Sequence, residues 1–220
     1  MAPFPLSKPD VVPETAASEP VRLTWPRASS IFGFPAVTTG SLLFRRKVRV
    51  MEFVRSLRRH AAALGKTIVL PESDDERMLR AAAILRDEAI ARPVLLGDST
   101  TIAGRLQDLG LAADGIDLVS PADDADHDAY RDAYHELRRE KGVTAEQAAA
   151  TMRDPLFFGA MMVRQGRGDG MVAGAVNATG DVLRAAFQII GTAKASSIVS
   201  SSFVMVREYW ELGEYGMLVF

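Results

Sequence analysis

The sequence predicts an α/β protein whose mostly parallel sheet is flanked by helices. Two observations carry that prediction. From Met51 onward, short apolar runs alternate with stretches of helical periodicity. The runs at Thr67–Leu70, 94–96, 116–119 and 171–174 are also almost continuously apolar. Strands covered on both faces read this way, whereas half-exposed strands alternate.

The elements follow in order. Phe53, Leu57 and Ala61 mark a first helix that ends near Gly65. Thr67–Leu70 is a strand closed by Pro71. Ser73 and Glu76 have the spacing of a capping box, which opens a helix running to about residue 91 with Met78, Ala82, Leu85 and Ala89 on one face. The strand at 94–96 stops at Gly97, a helix covers 102–109, and a strand covers 116–119. A long helix spans 123–141, with Tyr130, Tyr134 and Leu137 at core spacing and Gly142 as its stop. Thr144 and Gln147 form a second capping box, and Pro155 interrupts the helical stretch that follows. Gly166, Gly168 and Gly170 turn the chain into the strand at 171–174, after which a helix begins near Thr179. Leu183, Phe187 and Ile190 form its core stripe. Further strands are expected at 198–206 and 217–220.

Residues 1–50 differ from the rest. They hold Pro3, Pro5, Pro9, Pro13, Pro20, Pro26 and Pro35, a spacing that blocks helix interiors and central strands. The segment reads as a disordered extension, with Met51 as an alternative start of translation. A transit peptide is weakened by Asp10, Glu14 and Glu19. Residues 51–194 read as a first α/β domain and 195–220 as the beginning of a second. The chain ends inside an apolar run, Met217, Leu218, Val219 and Phe220, with no cap or polar tail, so it reads as cut short within that second domain.

Composition narrows the function. A net charge of −2 provides no basic field for nucleic acid. Cysteine is absent, which excludes disulfides, thiolate metal sites and a Cys nucleophile, and fits a reducing compartment such as the cytoplasm. No apolar run approaches the roughly 20 residues that span a bilayer. His60, His127 and His135 lack metal-ligand spacing. Ser200, Ser201 and Ser202 lack the glycines of a nucleophile elbow.

The strongest local signal is the stretch 169–184. A strand passes through a loop of small residues into a helix start, where free backbone N–H groups and the positive dipole end favour an anion. Asn177 and Thr179 add side-chain donors, and Arg184 lies on the first turns, within reach of a phosphate. A plainer reading stays open: Thr179 caps the helix and Asp181 pairs with Arg184 at i,i+3. Gly166, Gly168 and Gly170 are no dinucleotide loop, because they precede a strand and open no helix. Arg138 and Arg139 fit cations at the negative end of the long helix. Glu72, just past a strand end, is an acid, a base or only a turn residue.

Taken in order, several segments resemble the phosphate acetyltransferase family. They are 66–73 with Asp75 and Arg77; Tyr134 to Arg138; Asp154 and Pro155 with Phe158, Met161 and Met162; 169–184; 188–194; 201–206; and 213–220. The resemblance implies a two-domain fold similar to isocitrate and isopropylmalate dehydrogenases, with the active site in the interdomain cleft. It places Arg138 and Arg184 on family arginines that bind coenzyme A, and Asn177, Thr179 and Gly180 on a loop lining the cleft. The family's catalytic Ser, Arg and Asp correspond to positions beyond Phe220, so the chain as read would supply binding groups without the base. The expected activity is interconversion of acetyl-CoA plus phosphate with acetyl phosphate plus CoA. Coenzyme A serves as substrate, no cofactor is tightly bound, no metal, membrane or nucleic acid is involved, and the full-length form is a homodimer. The alternatives are a phosphate butyryltransferase and a non-catalytic acyl-CoA-binding module of the same fold.

Overall fold

A computed structural model of the chain describes residues 42–192, 199, 201, 203–206 and 217–219, with side chains at 53–192, 199, 201 and 203–205. Four parallel strands, β1 (Thr67–Leu70), β2 (Arg92–Leu96), β3 (Asp117–Val119) and β4 (Gly170–Met171), form a sheet in the order β3-β2-β1-β4. Register pairs Thr67 with Arg92, Ile68 with Gly170 and Val94 with Asp117. Successive side chains of a strand point to opposite faces, and here both faces are dry. Val69, Val94 and Leu96 pack with Tyr130, Tyr134, Phe158 and Met161. Leu70 and Leu95 pack on the other side with Met78, Leu79, Ile102 and Leu106. That double coverage is why the strands read as unbroken apolar runs.

The helices are α1 (Leu42–Leu64), α2 (Glu76–Asp87), α3 (Ser99–Asp108), α4 (His127–Arg138), α5 (Ala145–Thr151), α6 (Pro155–Arg164) and α7 (Thr179–Ala185). A 3-10 turn, Arg139–Lys141, follows α4, and a π-turn, Ala186–Ile190, follows α7. Two short strands, β5 (Val204–Val206) and β6 (Met217–Val219), pair antiparallel in a separate sheet. Among the described residues no helix is long and apolar enough to cross a membrane.

Several expectations hold in detail. The Thr144–Gln147 capping box has both bonds, Gln147 N–H to Thr144 Oγ1 at 3.2 Å and Thr144 N–H to Gln147 Oε1 at 3.0 Å. Pro155 is the first residue of α6, where its missing N–H costs nothing. Gly142 closes the 3-10 turn in the left-handed region.

Others need correction. α1 reaches back to Leu42, inside the stretch read as disordered, because the prolines end at Pro35 and nothing after it bars a helix. The remainder of that stretch lies outside the described residues. Ser73 does not cap α2. Its Oγ donates to the Leu96 carbonyl across the ends of β1 and β2 at 2.6 Å, and Asp75 caps the helix by accepting from Arg77 N–H at 2.8 Å. α2 ends at Asp87, short of residue 91, and Ala89 takes a positive φ. α4 starts at His127, and Leu137 is exposed. The stripe of Leu183, Phe187 and Ile190 is exposed at 42%, 49% and 45%. Ala185 and Ile189 are buried instead, on roughly the opposite side given about 100° per residue. Residues 193–198, 200, 202, 207–216 and 220, on which parts of the two last expected strands fall, lie outside the described residues.

The reassigned cap has a measurable consequence. Asp75→Ala is expected to cost about 0.5–2 kcal/mol and to expose the first-turn amides of α2 to hydrogen exchange. Ser73→Ala is expected to cost about 1 kcal/mol through a lost buried hydrogen bond, leaving those amides protected. Exchange mass spectrometry of the two variants checks this.

Candidate functional site at the carboxyl edge of the sheet

β1 and β4 are parallel neighbours, so their carboxyl ends leave the sheet side by side. The first chain continues through Pro71 into Glu72. The second continues the ladder for one more bond, Val172 N–H to the Val69 carbonyl at 3.0 Å, then enters the small-residue loop. Gly174 has φ +112°, a conformation that only glycine adopts readily, and it turns the following amides toward Glu72.

The Glu72 carboxylate receives five hydrogen bonds from this loop. Oε2 accepts from Gly174 N–H at 2.8 Å and Ala175 N–H at 2.7 Å. Oε1 accepts from Val176 N–H at 3.0 Å, Asn177 N–H at 2.7 Å and the Asn177 side-chain amide at 2.9 Å. Glu72 is only 4% exposed. Burial pushes its pKa up, but the donors of Asn177, Ala175 and Val176 outweigh that and bring it from an ordinary 4.5 to about 2. Arg77 holds the loop from the other side: its Nη2 donates to the Ala175 carbonyl at 2.9 Å, while its guanidinium also grips Asp75.

The small-residue loop reads in sequence as an anion-binding turn for a ligand, and the structure shows an internal contact. Its amides do converge on an anion, but the anion is Glu72, and the Asn177 side chain is engaged with it. Thr179 is the first residue of α7 and caps nothing, since the N-cap position is Ala178. Thr179 and Gly180 are both exposed. Arg184 pairs with Asp181 at 3.0 Å, as the plainer reading foresaw. With the Arg184 side chain 60% exposed, such a pair is worth little and leaves the guanidinium accessible.

Arg138 ends α4, one turn beyond Tyr134. Its Nε is buried and has no hydrogen-bond partner among the described residues. A charged donor in that state is costly unless something pairs with it. The Tyr134 hydroxyl donates to Gln188 Oε1 at 2.7 Å, tying α4 to the π-turn that continues α7. The elements that carry the two arginines are thus joined directly. Glu72 and Arg77 were the residues that sequence reasoning missed as parts of this edge. Their partners lie about a hundred positions away, and the only local signal was an acid immediately after a strand end.

The sequence profile described as phosphate acetyl/butaryl transferase matches residues 52–220. The chain belongs to that family. A phosphate acetyltransferase of Nitratidesulfovibrio vulgaris is 46% identical over 169 residues, covering 76% of this chain and 24% of that protein. One of Thermoanaerobacterium thermosaccharolyticum is 41% identical over 170 residues, covering 77% of this chain and 51% of that protein. Among solved structures, a phosphotransacetylase from Streptococcus pyogenes matches with a TM-score of 0.69 at 38% identity, over 72% of this chain and 48% of that one. The EutD phosphotransacetylase from Staphylococcus aureus matches with a TM-score of 0.66 at 34% identity, over 71% and 47%. The chain spans about half, or less, of the length of these relatives.

The Glu72 ring makes stability depend on pH. A carboxylate whose folded pKa is lowered contributes fully above its unfolded value and loses the contribution as pH falls through the folded one. Here the window runs from about 4.5 down to about 2. At about 1.4 kcal/mol per pH unit this amounts to roughly 3 kcal/mol. Glu72→Gln is expected to lower the melting temperature at pH 7 and to flatten its decline between pH 5 and pH 2, as followed by circular dichroism.

Proposed function

We propose that this protein is a phosphate acetyltransferase, working on coenzyme A, acetyl phosphate and phosphate. The observation that carries the reading is the family match over 52–220, together with relatives 46% and 41% identical that are named phosphate acetyltransferases. The Nε of Arg138, buried and without a hydrogen-bond partner among the described residues, supports it, because it stands at the position that resembles a coenzyme A-binding arginine of the family. Arg138 and Arg184 supply guanidinium groups for the phosphates of coenzyme A, and Thr179 and Gly180 line the same edge. Asn177 acts through the loop, since its amide holds Glu72.

In this reading the coenzyme A thiolate attacks the carbonyl carbon of acetyl phosphate. The carbon–oxygen bond to phosphate breaks as the thioester forms, and the proton from the thiol passes to a base. Donors around the carbonyl oxygen and the leaving phosphate stabilise the charge that develops. Coenzyme A is a substrate and no tightly bound cofactor takes part. The reading also includes a two-domain fold similar to isocitrate and isopropylmalate dehydrogenases with the active site in the interdomain cleft, a homodimer when full length and a cytoplasmic location. Acetyl is preferred to butyryl as the acyl group because the relatives quoted above are named for acetyl.

Titration calorimetry with coenzyme A tests the proposal. The wild-type chain is expected to bind it, and Arg138→Gln and Arg184→Gln are each expected to weaken binding about tenfold or more, since a charge-assisted contact is worth roughly 1.5–3 kcal/mol. Melting temperatures should barely change. Absence of binding, or affinity unaffected by both substitutions, would contradict it.

A further inference from the structure

The five-donor ring around Glu72 goes beyond holding two strand ends together. Its backbone donors belong to four consecutive residues, Gly174 to Asn177, and Ala178, the N-cap of α7, follows at once. No soft segment separates the ring from the helix. Fixing Asn177 N–H at 2.7 Å from the carboxylate fixes the point from which α7 departs, and Arg184 lies within the helix's second turn. Glu72 is 4% exposed and ionised, with both oxygens occupied by amides. It is placed to orient and not to exchange protons.

The ring has a second property. Consecutive N–H groups aimed at one point bind small oxyanions of many kinds. An empty ring at this edge would accept inorganic phosphate or the phosphoryl end of an acyl phosphate, in competition with productive binding. A tethered carboxylate fills it at high effective concentration. Resting on the coenzyme A reading above, we infer that Glu72 is a positioning residue: it sets the departure of α7, and hence the place of Arg184, while keeping free phosphate out of the loop.

The test uses the 220-residue chain and its variants Glu72→Ala, Glu72→Gln and Arg184→Gln, below their melting temperatures and with matched far-ultraviolet circular dichroism. Glu72→Ala is expected to bind coenzyme A about tenfold more weakly, and millimolar formate, which refills the ring, is expected to restore the affinity. Inorganic phosphate should raise the melting temperature of Glu72→Ala more than that of wild type. In the Arg184→Gln background, removal of Glu72 should cost little further affinity, because the two act through one contact. If Glu72→Ala does not fold, the same cycle is run with Glu72→Gln, whose amide occupies the ring but offers one oxygen acceptor in place of two, which predicts a smaller loss that formate, having no room to enter, does not repair. Coenzyme A affinity indifferent to Glu72 would overturn the inference alone. So would an equal loss in the Arg184→Gln background, or formate that raises the melting temperature without restoring affinity. A wild-type chain that binds no coenzyme A would overturn this inference together with the proposed function.

Discussion

Everything at the carboxyl edge of the sheet depends on one buried charge and the amides that surround it. A carboxylate at 4% exposure with no donors would be forced to take up a proton, and four consecutive amides with no acceptor would each carry a desolvation cost. Together they satisfy each other, across a sequence separation of 102 to 105 residues. The bond set closes β1 against the exit of β4, and the loop's exit direction then determines where α7 runs. Arg77 and Asp75 secure the same loop from the start of α2, so the first and last strands of the sheet's sequence share one support.

That arrangement connects fold to proposed chemistry without placing a catalytic group here. Glu72 sits too deep to touch a substrate, whereas Arg184, Thr179 and Gly180 remain open to one. Arg138 is different again: it is half-buried, with its Nε unpartnered among the described residues, on a helix tied through Tyr134 to the π-turn after α7. Arg184 stays in reach of solvent, and the Glu72 charge is satisfied by the hydrogen bonds of the loop.

The fold was legible where local rules coincide with tertiary ones. Thr67–Leu70 is apolar throughout because both of its faces are packed, and Thr144 with Gln147 caps a helix because both partners lie within one turn. Legibility failed where a residue had a better distant partner. Ser73 has the spacing of a cap but bonds to Leu96 on the next strand, leaving Asp75 to cap α2. Leu183, Phe187 and Ile190 have core periodicity, yet Ala185 and Ile189 face the interior, since periodicity identifies a stripe without saying what it meets. In the site, Arg184, Asn177 and Thr179 were legible from the residues themselves, whereas Gly180 and the role of Arg138 came from resemblance. The character of the loop as an anion turn came from its residues. That Glu72 is the anion was invisible, because no local spacing encodes a contact a hundred residues long.

The most direct measurement is the titration of the Glu72 carboxyl itself. Side-chain carbon labelling of glutamate, with Glu72→Gln used for assignment, allows its NMR shift to be followed with pH in the folded protein. The account predicts that Glu72 stays ionised well below its ordinary 4.5, with a midpoint near 2 unless the protein unfolds first. A midpoint at 4.5 or above, in a chain still folded, would mean that the loop amides do not surround it, and the account built on that ring would fall.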